Sequence, residues 1–306
     1  MHMKAHEHRL AQRREPKGRR HFHPIVLWLV PILGLLFVFG VLPIFISLYL
    51  SFFDYQILQP LKWVGVGNYV YALARDRVFH TTLFNTFCWT YLSVPFGMAI
   101  SLLVAQSIHS RSHLKHFFRT VYFLPVVTPT VAVTMVWRFI LQPSRFGLLN
   151  MLLGALGVKA QPWLTSADLV IPSLIVVGIW SGMGYNMVLF LAGLVGIPAE
   201  FYEAARIDGA DSWRMFWKIT WPLLSPTVLF VTVTGSIGAL QVFTVPYIMT
   251  RGGPENASRM VVMWIQETGF AQYRLGYAST LAYILFFIIF LLTLVELRYL
   301  RTRWSF

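Results

Sequence analysis

The chain has 306 residues, 57% of them hydrophobic and only 12% charged, with a mean hydropathy of +0.62. Soluble domains average about 25% charged residues, so this composition excludes an ordinary water-soluble globule and points to a membrane class. A formal charge of +13 would suit nucleic acid, but the basic residues cluster at the ends of apolar blocks, and nucleic acid is not expected as a partner.

In chain order, residues 1–23 form a basic tail (Lys4, Arg9, Arg13, Arg14, Lys17, Arg19, Arg20) suited to anionic lipid headgroups. Its histidines (His2, His6, His8, His21, His23) read as a metal site or simply as a solvated tail. Six stretches then lack Asp, Glu, Lys and Arg: Pro24–Phe53, Thr81–Ser110, Thr120–Trp137, Leu169–Ala199, Ile219–Thr250 and Leu275–Val295. Each reaches the roughly 18–20 residues that carry a helix across the hydrocarbon. Their solid apolar blocks are unlike the weak alternation of a β-barrel. The expectation is an all-α membrane protein with six transmembrane helices, residues 24–306 forming one transmembrane domain. Its first block is too long for the apolar core of a cleaved signal peptide. The third carries Pro125 and Pro129, which should kink it.

Between these blocks lie polar or turn-rich segments. Gly65, Gly67, Asn68 and Tyr69 follow the first, with Trp63 and Tyr69 suited to an interfacial belt. His109, His113 and His116 follow the second at helical spacing; they fit zinc or an ordinary basic loop. Pro143–Asp168 is rich in Gly and Leu and suits the membrane surface. Arg251-Gly252-Gly253-Pro254 is a turn-forming cluster. One cysteine, Cys88, lies in the second block, so no internal disulfide is possible. Sixteen Lys and Arg fall on the side of the tail and eight on the other. The richer side should be cytoplasmic, with both termini inside. The spans hold almost no ionisable group, unlike a proton-coupled carrier, and Arg138 and Glu296 near span ends read as snorkelling side chains.

The informative segment is 197–222, between the fourth and fifth spans. Pro198 suits the first position of a helix, Glu200 and Glu203 its N-terminal turn, and Gly209 a left-handed stop. Asp211 or Ser212 caps a second helix carrying Trp213, Phe216 and Trp217, with Pro222 marking the exit into the fifth span. Three large aromatics on a short polar-flanked helix need a cover. Small residues at Ala204 and Ala205 let a second surface approach closely. That combination fits a docking site for a soluble partner, or an amphipathic loop resting on the membrane.

Glu203-Ala204-Ala205, Gly209, Ile219 and Pro222 together resemble the "EAA" motif of ATP-binding-cassette (ABC) importer permeases: Glu-Ala-Ala, three residues, Gly, nine residues, Ile-x-x-Pro. Trp221 stands where that family usually has Leu. Gly67-Asn68-Tyr69, Asn85-Thr86, Phe123-Leu124-Pro125 and Gly252-Gly253-Pro254 resemble its carbohydrate branch, which serves maltose, lactose, trehalose and glycerol-3-phosphate, so the chain looks like a maltose-permease (MalF-like) subunit with the MetI-like core. The resemblance implies that the EAA helix-turn-helix enters a cleft on an ATPase. Glu203 would pair with a basic group there, Gly209 would permit the turn, and Asp208, Trp213, Phe216 and Trp217 would fill or border the cleft. It also implies two separate ABC ATPase subunits, a second EAA-bearing permease, and an extracytoplasmic solute-binding protein. The chain has no Gly-x-x-x-x-Gly-Lys-Ser/Thr phosphate loop. It is therefore expected to be no enzyme and to hold no cofactor, with ATP and Mg bound by its partners.

Candidates for the solute path are the polar or small residues of the fourth and fifth spans. They are Ser181, Gly182, Gly184, Tyr185 and Asn186, then Thr232, Thr234, Gly235, Ser236, Gly238 and Gln241, with Phe243 able to stack on a sugar. Gly182 and Tyr185 match sugar-contact positions of the maltose-type permease, whereas Ala239 and Val242 replace polar ones. Close helix packing accounts for many of the same residues, although a buried amide such as Asn186 or Gln241 needs a partner. A membrane scaffold that recruits a regulator through 197–222 is the other functional class left open. A membrane enzyme is disfavoured, because the spans hold no paired carboxylates, Ser/His dyad or metal-ligand cluster.

Overall fold

Without water in the hydrocarbon, each apolar block must satisfy its own backbone, and it does so as helix. The computed structural model describes residues 24–57, 59–110 and 115–300. The basic tail with its five histidines, His113 and the side chain of His116 lie outside the described residues. Two units are distinguished, one ending at Ser47 and one beginning at Leu48.

In the first unit, α1 (Pro24–Leu36) passes through a π-turn at Phe37–Val41 into α2 (Leu42–Ser51), whose residues from Leu48 on belong to the second unit. Pro43 sits just beyond that turn. Proline removes an N–H and its ring crowds the carbonyl one turn back. The wider π-turn, closed by Leu42 N–H to Phe37 O, takes up the conflict without breaking the helix.

After the end of α2 the second unit continues with β1 (Phe53–Asp54) paired to β2 (Lys62–Trp63) and the short α3 (Gly67–Ala74). The second span is α4 (Arg77–Ser110). The third, expected as one kinked helix, is two: α5 (Lys115–Val127) and α6 (Thr130–Ile140), bent by 97°. Pro129 bars the α conformation at Thr128, and its ring has no room above the carbonyl of Pro125 four residues back. The expected kink is thus a right-angle break. After α7 (Leu148–Ala155), the fourth span is α8 (Ala167–Val195). Then come α9 (Ala199–Ile207) and α10 (Ser212–Met215), the latter running through a π-turn at Phe216–Thr220 into α11 (Trp221–Leu240), the fifth span. The expected exit at Pro222 is therefore not a break. Ser212–Leu240 is one helix, with Pro222 two residues past a π-turn, as Pro43 is. Two short helices, α12 (Thr244–Thr250) and α13 (Val261–Gln266), precede the sixth span, α14 (Leu275–Leu300). Among the described residues five helices are long and apolar enough to cross a membrane, or six when the bent α5–α6 pair is counted as one span.

Helix α8 is the centre of the second unit, packing on α4, α5 and α11, while α14 packs on α11. Toward the end that carries 197–222 the core is Leu102, Ala105, Met187, Phe190, Leu194 and Leu224. Near the other end it is Trp89, Leu174, Val177, Met249 and Met260.

Polar side chains at that far end tie loops to helix ends. Asp76 caps α4 by accepting from Phe79 N–H (2.9 Å), and it accepts from Trp264 Nε1 (3.0 Å) and Tyr277 Oη (2.6 Å). Asn85 donates to Asn256 O and Arg259 O, and Thr86 Oγ1 accepts from Val261 N. Asn68 donates to Ser51 O and Phe53 O. Asn150, in the segment expected to lie on the membrane surface, holds the carbonyls of Gln142, Ser144 and Gln161 and accepts from Trp163 Nε1.

Asp76 is 6% exposed, so Asp76→Ala strands two side-chain donors and one cap. At about 1–3 kcal/mol for an unsatisfied buried group, the loss should be about 2–4 kcal/mol. It should appear as a lowered thermal midpoint of the detergent-solubilised protein, with Asp76→Asn, which keeps an acceptor, losing less.

Candidate functional site

Two places gather the residues singled out from the sequence. The first is the helix-turn-helix of α9 and α10. Glu200 lies in the first turn of α9 and Arg206 in its last, both favourable to the helix dipole. Gly209 adopts φ +74, and the turn closes through Asp208 N–H to Ala204 O and Ala210 N–H to Ala205 O. Asp211 then caps α10, its carboxylate accepting from Arg214 N–H at 2.8 Å. Tyr202 Oη and Thr220 Oγ1 lie 3.0 Å apart and lock the two arms together.

Between the arms is a cavity of about 460 Å³ bordered by Gln106, His109, Tyr202, Glu203, Arg206 and Phe216. Glu203, Ala204 and Asp208 are exposed, and Glu203 has no ion-pair partner among the described residues. The apolar residues divide. Ile207 at the tip is 88% exposed, Trp213 69% and Trp217 47%, whereas Phe216 packs against the core with Trp221. Ile219 and Pro222 are half-buried. The rings of Trp213 and Trp217 (5.7 Å) and of Trp217 and Trp221 (5.8 Å) form a ladder along one face of the helix. No group of three or more His, Cys, Asp or Glu that could hold a metal occurs among the described residues.

The second place is a half-open groove with a volume of about 350 Å³ between α4, α8 and α11, on which Gly182 and Gly238 are exposed. It gathers Ser181, Gly182 and Asn186 from α8 with Gly235 and Gly238 from α11. Other candidates lie elsewhere. Tyr185 is half exposed and does not line it, and Gly184 faces α5, where an added Cβ would overlap Tyr122 O and reach Val126 at 3.0 Å. Ser236 is buried and donates to Glu296 Oε1 at 2.6 Å. Glu296 is therefore held by α11 instead of snorkelling. Gln241 ends α11 and is exposed, so the expected buried amide is absent there. Phe243 stacks on Tyr247 at 4.8 Å. Thr232 and Thr234 donate to carbonyls of their own helix, and Arg138 donates to Ile248 O at 3.4 Å.

Three wall residues of the second span, Trp89, Ser93 and Gly97, escaped the sequence reading. Their i, i+4, i+8 spacing on one helix face was the available signal. Trp89 is fixed by Gly178, where a Cβ would come within 2.7 Å of the indole.

Several long apolar helices, a right-angle break between two more, a groove without charged side chains and a helix-turn-helix continuous with a spanning helix define a multi-pass membrane transport subunit. Residues 97–302 match the family described as the binding-protein-dependent transport system inner membrane component, and the chain belongs to that family. It is 36% identical to the probable ABC transporter permease protein YurN of Bacillus subtilis, covering 90% of this chain and 95% of that one. It is 34% identical to the lactose transport system permease protein LacF of Rhizobium radiobacter, over 90% and 94% of the two chains. Its fold is that of a chain from the crystal structure of a bacterial ABC transporter involved in import of the acidic polysaccharide alginate. The TM-score is 0.81 at 24% identity, over 92% of this chain and 96% of that one.

The glycines of α8 separate packing from space. Gly184→Ala should lower the thermal midpoint, by the equivalent of about 1–3 kcal/mol for overpacking. Gly182→Ala, whose Cβ meets nothing within 4 Å, should not lower it and should raise it slightly, since alanine is the better helix former.

Proposed function

We propose that this chain is one of two permease subunits of an ABC importer for a sugar or a related solute. An extracytoplasmic binding protein delivers the solute, a second EAA-bearing permease completes the path, and two separate ATPase subunits bind ATP and Mg and drive alternating access. Both termini and the 197–222 loop lie on the cytoplasmic side. The observation that carries this reading is mechanical. Glu203, Ile207 and Asp208 project at the tip of a helix-turn-helix whose second arm is the same helix as the fifth span. A push on that tip therefore reaches the bundle through rigid helix. Glu203 pairs with a basic group of the ATPase, Ile207 and Trp213 enter an apolar cleft on it, and Gly209 holds the turn. Phe216, Ile219 and Pro222 transmit the load. The sugar class is supported by the solute named for the lactose permease relative and by the neutral polar side chains Ser93, Ser181 and Asn186 on the otherwise apolar groove between α4, α8 and α11.

The test is purification of the tagged chain from its native cell in mild detergent, followed by assay of ATP hydrolysis. A phosphate-loop ATPase and a second permease should accompany it. Glu203→Lys and Gly209→Pro should each reduce solute-stimulated hydrolysis at least tenfold while membrane insertion is unchanged. Unaltered hydrolysis in both variants, or a chain that purifies alone, would overturn the reading.

A further inference from the structure

Two short helices at the end opposite 197–222 carry apolar faces that no described residue covers. Helix α7 joins the third span to the fourth. Between Arg145 and Lys159 its segment holds one polar side chain, Asn150, and that one is buried. Asn150 Nδ2 donates to Gln142 O and Ser144 O, and Oδ1 accepts from Gln161 N–H and Trp163 Nε1. Leu149 packs beside it on the core that includes Met260. Leu148, Met151, Leu152, Ala155 and Leu156 are exposed. Their i, i+3, i+4, i+7, i+8 spacing gathers them on one outward face of the helix.

Helix α3, between the first and second spans, repeats the design. Asn68 donates to Ser51 O and Phe53 O, and Ala72 is buried on the core that includes Val261, the residue after Met260. Val66, Val70 and Leu73 are exposed at i, i+4, i+7 spacing, with Trp63 before them. Three features say what covers both faces. Each helix hangs between the ends of two spans: α2 stops at Ser51 and α4 starts at Arg77, while α6 stops at Ile140 and α8 starts at Ala167. The chain therefore holds both at the depth where hydrocarbon gives way to headgroups. Neither stripe offers a polar side chain. A surface that binds and releases a soluble protein is about as polar as the rest of a protein surface, whereas a helix resting in a lipid interface is apolar on its buried side. Cations flank each stripe, Arg145 and Lys159 on α7, Lys62 and Arg75 on α3, where headgroup phosphates lie, and Trp63 suits the same zone.

We propose that α7 and α3 are in-plane membrane anchors, their exposed faces sunk among the phospholipids of the leaflet at this end. Asn68 grips the end of α2, and Asn150 grips the segments entering and leaving α7, so the depth of these helices sets that of the span ends they join. The proposal needs the spans but neither the solute nor the ATPase.

Fluorescence quenching tests it. In a Cys88→Ala background, which removes the one native thiol, a bimane fluorophore is attached to Met151→Cys or Val70→Cys. Glu255→Cys, at an exposed charged position in the loop before α13, is the water-facing reference. The full chain, with whatever subunits accompany it in mild detergent, is placed in nanodiscs of phosphatidylethanolamine and phosphatidylglycerol. Quenching by phosphatidylcholine spin-labelled near its headgroup and doped into the disc is compared with quenching by aqueous iodide. At Met151→Cys and Val70→Cys the lipid-borne quenching should exceed that at Glu255→Cys at least threefold, and iodide quenching should be at least threefold weaker. Iodide quenching equal to that at Glu255→Cys would mean that water meets the face. Protection from both quenchers would mean that a protein subunit covers it. Either result overturns the proposal, and neither touches the permease reading. Should a labelled variant fail to insert, Leu156→Cys and Val66→Cys, farther along the same faces, give the same readout.

Discussion

The close approach of three helices to α8 is the constraint on which the second unit depends. In a bilayer, helices gain little from hiding apolar surface, since lipid is as apolar as leucine, so association rests on tight van der Waals contact. Helix α8 achieves it with three glycines pointing in three directions: Gly178 under the indole of Trp89 on α4, Gly184 against the Tyr122 carbonyl on α5, and Gly193 against Thr227 and Leu224 on α11. A side chain at any of these would push a neighbour away. The groove between α4, α8 and α11 stays open where the same helix carries a fourth glycine, Gly182, with no atom of this chain opposite it.

Polar groups do a different job at the far end of the bundle. There the chain leaves the helices, and exposed loops would otherwise be free to move. Asp76, Asn85, Thr86 and Asn68 convert loop backbone into fixed structure by holding identified carbonyls and N–H groups. The segment around Gly252 is packed close to Arg259, which lies over Trp264 and pairs with Glu267 at 3.1 Å. The short motifs Gly67-Asn68-Tyr69, Asn85-Thr86 and Gly252-Gly253-Pro254 are thus architectural at this end.

At the 197–222 end the design is reversed. There the side chains that project farthest, Glu203, Ile207 and Trp213, are exposed, while the arms behind them are locked by Tyr202 and Thr220 and anchored through Phe216 and Trp221. This stiff lever with an exposed tip is the feature on which the proposed coupling to a separate ATPase rests. The π-turn at Phe216–Thr220 lets that lever keep its helical continuity despite Pro222.

The sequence alone determined the rough extent of the apolar helices, because exclusion of charge over some twenty residues follows from the cost of carrying charge into hydrocarbon. It also determined the helix-turn-helix, since Gly209, Asp211 and the acidic first turn act through local backbone geometry and the helix dipole. Only the tertiary structure decided what depends on which face of a helix meets which neighbour. It turned the Pro125–Pro129 kink into a right-angle break and joined α10 to α11. It drew Ser236 to Glu296, set Gln241 in the open, and brought Trp89, Ser93 and Gly97 to the cavity wall. A glycine in the sequence has the same letter whether it admits a neighbouring helix or an empty space. Gly184 and Gly182 differ only in what lies opposite them, and that is fixed by the packing of distant segments.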